Sequence, residues 1–395
     1  MADRTKDIWN DDDGEETSSP KHRRLKGFAL FFLTLAVVLG VVLVAAYRDG
    51  TGFDVLRRHF NYGRAEKSGA DAVYQYDASA HNRFAVLGDS LAVLSDTSLR
   101  LLGRDGEELF SANVQLESPA LTTGGGRAAA YGVGGTVLYI LDEKGLVKTF
   151  QLDEEEPLIA ASLNHEGWLA VTAEKKNYKA CVSVYNQEME KVFDFNSSRR
   201  FVSDACVTDD CGYLAAVTLG QETGTFVSNV VLYDLTKTDP AADYDVRDGL
   251  VMHIGEQNGS LVTVADNQLT LAGTDGKVRS TYSYASAYLR EFDCGGDGYT
   301  VLLLNRYQSG SVGRLVTVGT DGEEIASLDV NGEILSVSAA GRYVAVLYTD
   351  SLVIYNPDLQ VYATLKGTGY AREALMRSDG SALLIASESA KLFLP

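Results

Sequence analysis

One glycine-led unit recurs along most of the chain and limits its fold more than any other feature. Its clearest copy is residues 341–365, GRYVAVLYTDSLVIYNPDLQVYATL. A glycine turn leads an apolar strand at 344–347, and a polar break falls at Thr349 and Asp350. A second strand covers 352–355, and an Asn-Pro-Asp turn leads a third at 361–365. Short apolar runs bounded by turn residues read as an antiparallel meander. Eight glycines stand just before such a strand: Gly88, Gly126, Gly167, Gly212, Gly259, Gly298, Gly341 and Gly380. Their spacing of about 40 residues is that of a four-stranded repeat unit. Turns at Asp105-Gly106, Lys144-Gly145, Asp275-Gly276 and Asp321-Gly322 supply the positive φ that tight hairpins need.

A four-stranded meander cannot bury both faces alone, whereas a ring of stacked units buries them all. The last unit, 372–395, has room for only three strands, and a fourth is available at 72–77, AVYQYD. The predicted fold is therefore all-β: an eight-bladed β-propeller over residues 72–395, closed by strand 72–77 joining the last blade. Seven blades is the alternative count.

The N-terminal part is of a different kind. Residues 1–26 hold an acidic run and a basic cluster with almost nothing apolar, which predicts a disordered cytoplasmic tail. Residues 27–47, GFALFFLTLAVVLGVVLVAAY, contain no charge, which predicts a transmembrane helix. The run is longer than a signal-peptide core, so an uncleaved single-pass anchor is expected. Lys21, Arg23, Arg24 and Lys26 abut it, placing the N-terminus in the cytoplasm and the propeller outside, although Arg48, Arg57, Arg58, Arg64 and Lys67 follow. Residues 48–71 read as a juxtamembrane linker in which Phe53, Leu56 and Phe60 share one helical face.

The formal charge of −19 argues against a nucleic-acid partner. Cys181, Cys206, Cys211 and Cys294 form no C-x-x-C, and no histidine pair stands at ligand spacing beside them, so no metal is expected. Cys206 and Cys211 flank one hairpin turn and can pair in an oxidising compartment; two free thiols is the alternative. His165 reads as a turn residue, and His253 as a packed residue of an innermost strand that can face the channel. Nucleophile-elbow, phosphate-loop and zinc-protease motifs are absent from the sequence, so neither an enzyme nor a cofactor is the favoured reading. The run 293–298, DCGGDG, suggests a calcium loop but coincides with a hairpin turn.

Loop length is the informative irregularity. Loops joining second to third strands share a face with those joining blades, and three of the former look extended: 174–180, 220–229 and 306–312. Insertions kept to one face of a repeat protein are where partners bind. Tyr and Arg lead among side chains that anchor interfaces. The candidate partner-binding face therefore comprises Lys176, Tyr178, Arg199, Arg200, Phe226, Arg247, Tyr284, Tyr288, Arg290, Arg306, Tyr307 and Arg372.

Third strands ending Val184-Tyr185-Asn186, Leu232-Tyr233-Asp234 and Ile354-Tyr355-Asn356, together with the Asp-Gly turns, resemble WD-repeat-like and quinoprotein-like propellers. Anchor, linker and propeller together resemble a bacterial family of single-pass, membrane-anchored propellers of unknown function. The Gly-His and Trp-Asp marks of true WD repeats and the tryptophan-docking signature of quinone-cofactor propellers are missing, so the resemblance implies neither a quinone nor a catalytic motif. The expected function is a membrane-anchored extracytoplasmic binding or scaffold module for a protein or envelope-polymer partner. One alternative is a propeller hydrolase or lyase acting on an envelope glycan or small molecule, which needs carboxylates, His or a metal at the channel mouth. The other is a cytoplasm-facing assembly platform, which free thiols at Cys206 and Cys211 favour.

Overall fold

The computed structural model describes residues 31–41, 74–222 and 225–395, with the side chains of 222–226 outside that description. The predicted tail, the linker and both ends of the predicted spanning segment also lie outside the described residues. Residues 31–41 are helical. Among the described residues no helix is long and apolar enough to cross a membrane. A transmembrane helix is thus not shown.

Residues 74–395 build eight four-stranded antiparallel sheets, which settles the blade count at eight. The innermost strands, in blade order, are Arg83–Leu87, Pro119–Gly124, Leu158–Leu163, Phe201–Val207, Val251–Gln257, Tyr288–Gly296, Ile334–Ala340 and Glu373–Met376. Blade 8 takes its outer strand from the other end of the propeller: Tyr74–Gln75 pairs with Ser389–Phe393, Tyr74 opposite Ala390. The Tyr76 hydroxyl lies 2.9 and 2.7 Å from the carbonyls of Ala386 and Ser389, which ties the closing segment down.

The burial pattern explains why the second strands read as unbroken apolar runs. Ser90–Leu94, Leu169–Ala173 and Ala382–Ile385 are buried at every position, because each blade is covered on both faces by its neighbours. Outer strands such as Glu108–Asn113 and Val278–Ser283 alternate instead, with one face in solvent. The core is divided into eight clusters, one between each pair of successive blades. The cluster joining Leu383, Ile385 and Tyr74 of blade 8 to Leu91, Val93 and Leu102 of blade 1 closes the ring. In blades 1 to 7 the pairing of third and fourth strands carries a bulge at the same place. A bulge bends an exposed edge and discourages it from pairing with another chain.

One predicted loop is corrected. Residues 220–229 form no loop: Tyr213–Glu222 and Thr225–Asp234 are ten-residue strands paired as far as Glu222 and Thr225. The polar run there extends a hairpin beyond its blade. The other two are loops between paired strands, 174–179 and 306–312; Tyr178 N–H donates to Lys175 O inside the first, and Arg306 N–H to Val312 O across the second. Cys206 and Cys211 are not joined. Cys206 is buried between blades 4 and 5, and Cys211 lies 3.5 Å from the Asn164 amide nitrogen.

Candidate binding surfaces

Strand direction puts the second-to-third loops and the blade-joining loops on one face. Lys176 is exposed there and spends its charge on Glu155 at 2.9 Å. Tyr178 is exposed beside it. Arg199 and Arg200 line a cavity of about 590 Å³ between blades 3 and 4, walled also by Phe195 and Tyr233. Arg247 is exposed and 3.5 Å from Asp245. Tyr288 and Tyr307 are exposed, as are Arg306 and Arg290, whose guanidinium reaches the Ile334 carbonyl at 3.5 Å. Arg372 borders a cavity of about 270 Å³ with Glu291, Asp293 and Glu373. The Phe226 side chain lies outside the described residues.

Tyr284 does not belong to this face. It is 1 % exposed and packs between blades 5 and 6. Ala285 and Ser286 both take positive φ, folding the blade-joining loop back so that the ring turns inward. Sequence reasoning also missed Phe201, Leu250 and Met252, each more than half exposed. With Tyr288 they cluster at the starts of the innermost strands of blades 4, 5 and 6. Met252 and Arg290 occupy bulges there, which turn them out of the strand pattern. Nothing in the local sequence announces such a bulge.

The second concavity is the central channel. The eight innermost strands enclose a cavity of about 860 Å³ lined from every blade. It reaches the turns between first and second strands, at Asp89, His165, Asp209 and Asp379. An innermost strand presents an unpaired edge, and its N–H groups need acceptors. The preceding blade supplies them. Ile254 N–H donates to Asp204 Oδ2 at 3.3 Å, Val337 N–H to Glu291 Oε1 at 3.0 Å, and Ala339 N–H to Asp293 Oδ2 at 2.9 Å. Between blades 7 and 8, Ala374 and Met376 donate to the hydroxyls of Ser336 and Ser338 at 2.9 and 3.0 Å.

Electrostatics follow from this placement. Burial pushes the carboxyls of Asp204, Asp293 and Glu373 up, and Glu291 up to about 6. His253 lines the channel 3.7 Å from Asp204 and close to Phe292, the ring centroids 5.8 Å apart. His165 is raised by its hydrogen bond with Asp209, at 2.9 Å. Burial pushes the Cys206 thiol well up, the opposite of an activated thiolate. Asp204, Glu291 and Asp293 thus hold neighbouring blades together by accepting from the next innermost strand.

Fold and surfaces define the class: an eight-bladed β-propeller with WD40-like and BamB-like architecture. Two solved structures carry that comparison. The C-terminal WD40 domain of Sif2 superposes with a TM-score of 0.58 at 13 % identity, covering 84 % of this chain and all of that domain. BamB from Moraxella catarrhalis gives 0.51 at 12 % identity, covering 83 % of this chain and 98 % of BamB. The chain itself belongs to the family described as "Family of unknown function (DUF5711)", whose model matches residues 65–362. No curated protein sequence matches it significantly.

Proposed function

We propose that this protein is a membrane-anchored, extracytoplasmic binding or scaffold module that holds a protein or envelope-polymer partner on its loop-bearing face. The observation that carries the reading is the sector over blades 4 to 6, where Phe201, Leu250, Met252 and Tyr288 are exposed among Arg199, Arg247 and Arg290. Apolar and aromatic side chains ringed by arginine have the composition of an interface core. The uncharged stretch 27–47 supports the anchor. Membrane-impermeant maleimide applied to intact cells carrying Tyr178→Cys or Gln308→Cys tests the topology, with the unsubstituted chain as background. Labelling before lysis is expected, and labelling only after lysis would overturn the extracytoplasmic placement. A photo-crosslinker at Tyr288 or Tyr307 should then give a discrete adduct that one at Asp358, on the opposite face, does not. Equal adducts at all three positions would overturn the assignment of the face.

A further inference from the structure

The central cavity has no part in that reading, and its wall has a chemistry of its own. Asp89, Glu143, Asp209, Glu256, Asp293 and Asp379 line it, and Arg377 is the single Lys or Arg side chain among its lining residues. That guanidinium is occupied by the Gly88 carbonyl at 2.6 Å and the Asp89 carboxylate at 2.8 Å. The carboxylates are held in place by backbone groups. Ala339 and Gly295 donate to Asp293 at 2.9 and 2.7 Å, Asp209 N–H donates to Glu256 at 2.7 Å, and His165 N–H donates to Asp209 at 3.1 Å. Anchored this way they cannot swing out to solvent, so the negative potential is preorganised. Between them stand Phe84, Phe292, Leu121 and Leu375. The Cys206 thiol, 4 % exposed, also lines the wall, and has no hydrogen-bond partner among the described residues.

Volume and charge arrangement together select the ligand. A cavity of about 860 Å³ is of small-ligand size. A bare divalent ion needs several oxygens converging on one point. Among the described residues no group of three or more His, Cys, Asp or Glu converges in that way. The charge is instead spread around the wall, with apolar and ring surface between. Spread charge matches positive groups spaced along a flexible chain, whose methylenes cover apolar wall and whose ammonium or guanidinium groups pair with carboxylates or ring faces.

We infer that the channel is a binding site for an organic polycation bearing amino or guanidinium groups, entering between the first-to-second-strand turns. Burial raises Asp293 and Glu256, and a bound cation favours their charged forms, so binding weakens as pH falls and these carboxyls take up protons. The positive groups that face the wall carboxylates are His253 beside Asp293, His165 beside Glu256 and Asp209, and Arg377 on Asp89. The site is independent of the loop-bearing face and stands or falls without it.

Isothermal titration of the full chain with spermidine, with a pentalysine peptide and with magnesium chloride at matched ionic strength tests this. Spermidine or pentalysine should bind one to one, and the tighter of the two tells a free polyamine from a peptide side-chain source. Glu256→Gln keeps an acceptor for Asp209 N–H and removes the charge; with Asp209→Asn as the second variant, at least a tenfold loss of affinity is expected. Asp358→Asn, on the rim of the same face outside the cavity, should bind as the unsubstituted chain does. No binding by either polycation, equal binding of magnesium, or equal losses in all three variants would overturn the proposal.

Discussion

Glu291 offers the sharpest test of how neighbouring innermost strands are joined. It sits on the innermost strand of blade 6, and its Oε1 accepts from Val337 N–H at 3.0 Å. Burial is the main cause that lifts its carboxyl from 4.5 to about 6, with Glu373 adding to the lift and the Val337 hydrogen bond opposing it. A carboxyl raised on folding binds its proton more tightly in the folded chain. Its contribution is therefore fully present below pH 4.5 and is lost as pH rises through about 6. At about 1.4 kcal/mol per pKa unit, the difference corresponds to about 2 kcal/mol at neutral pH and above. Glu291→Gln keeps the acceptor oxygen and abolishes the titration. The variant should match the parent at pH 4 and exceed it by about 2 kcal/mol at pH 8, the gap opening between pH 4.5 and 6. Urea-unfolding midpoints at pH 4, 5.5 and 8 measure this directly. A constant difference at all three would mean that packing, not protonation, separates the two proteins. A variant less stable at pH 8 would mean that the ionised carboxylate gains more from Val337 than burial costs it.

Other perturbations follow from the same contacts. Ser336→Ala leaves the buried Ala374 N–H without its acceptor and should lower stability by about 1–3 kcal/mol, read from urea midpoints. Tyr76→Phe removes the hydroxyl from the carbonyls of Ala386 and Ser389; about 1 kcal/mol is expected, with faster amide exchange confined to blade 8. Gly125→Ala puts a side chain on a residue at φ +56°, its Cβ colliding with the Gly167 backbone in the next blade. Left-handed backbone alone costs an L-residue about 1–2 kcal/mol, so a larger drop in thermal midpoint than for either polar change is expected.

The blade repeat was legible because turn chemistry and apolar runs are local. Gly167, for example, takes φ +77° in its hairpin turn, where other residue types are strained. Even there the code has exceptions. In the corresponding turn of blade 4 it is Cys211, not Gly212, that takes positive φ, at 55°. Features set by the backbone without a matching residue type were not legible. The polar stretch after Gly220 reads as a loop because no residue in it signals pairing of Gln221 with Phe226. Tyr284 reads as a surface anchor because positive φ at Ala285 and Ser286 has no sequence signature. Phe201, Leu250 and Met252 look like core residues until bulges and loop paths turn them outward.

The channel was illegible for another reason: its partners lie one blade apart in sequence. Asp204 meets Ile254, Glu291 meets Val337, Asp293 meets Ala339, Ser336 meets Ala374 and Ser338 meets Met376, at separations of 38 to 50 residues. A search for partners near His253 therefore finds none, although Asp204 faces it from the preceding blade. The pattern, present between blades 4 and 5, 6 and 7, and 7 and 8, makes a prediction at Cys206, where an acceptor side chain is missing from it. Two residues after Asp204 stands Cys206, as Asp293 follows Glu291 and Ser338 follows Ser336. By strand parity the donor opposite it is Glu256 N–H, two residues beyond Ile254. A thiol is a poor acceptor, and a hydroxyl is a good one. Cys206→Ser should therefore install the missing inter-blade hydrogen bond and change stability by less than about 1 kcal/mol, because its buried hydroxyl is satisfied. A loss of about 2 kcal/mol or more, the cost of a hydroxyl buried without a partner, would show that the blade-to-blade rule stops between blades 4 and 5.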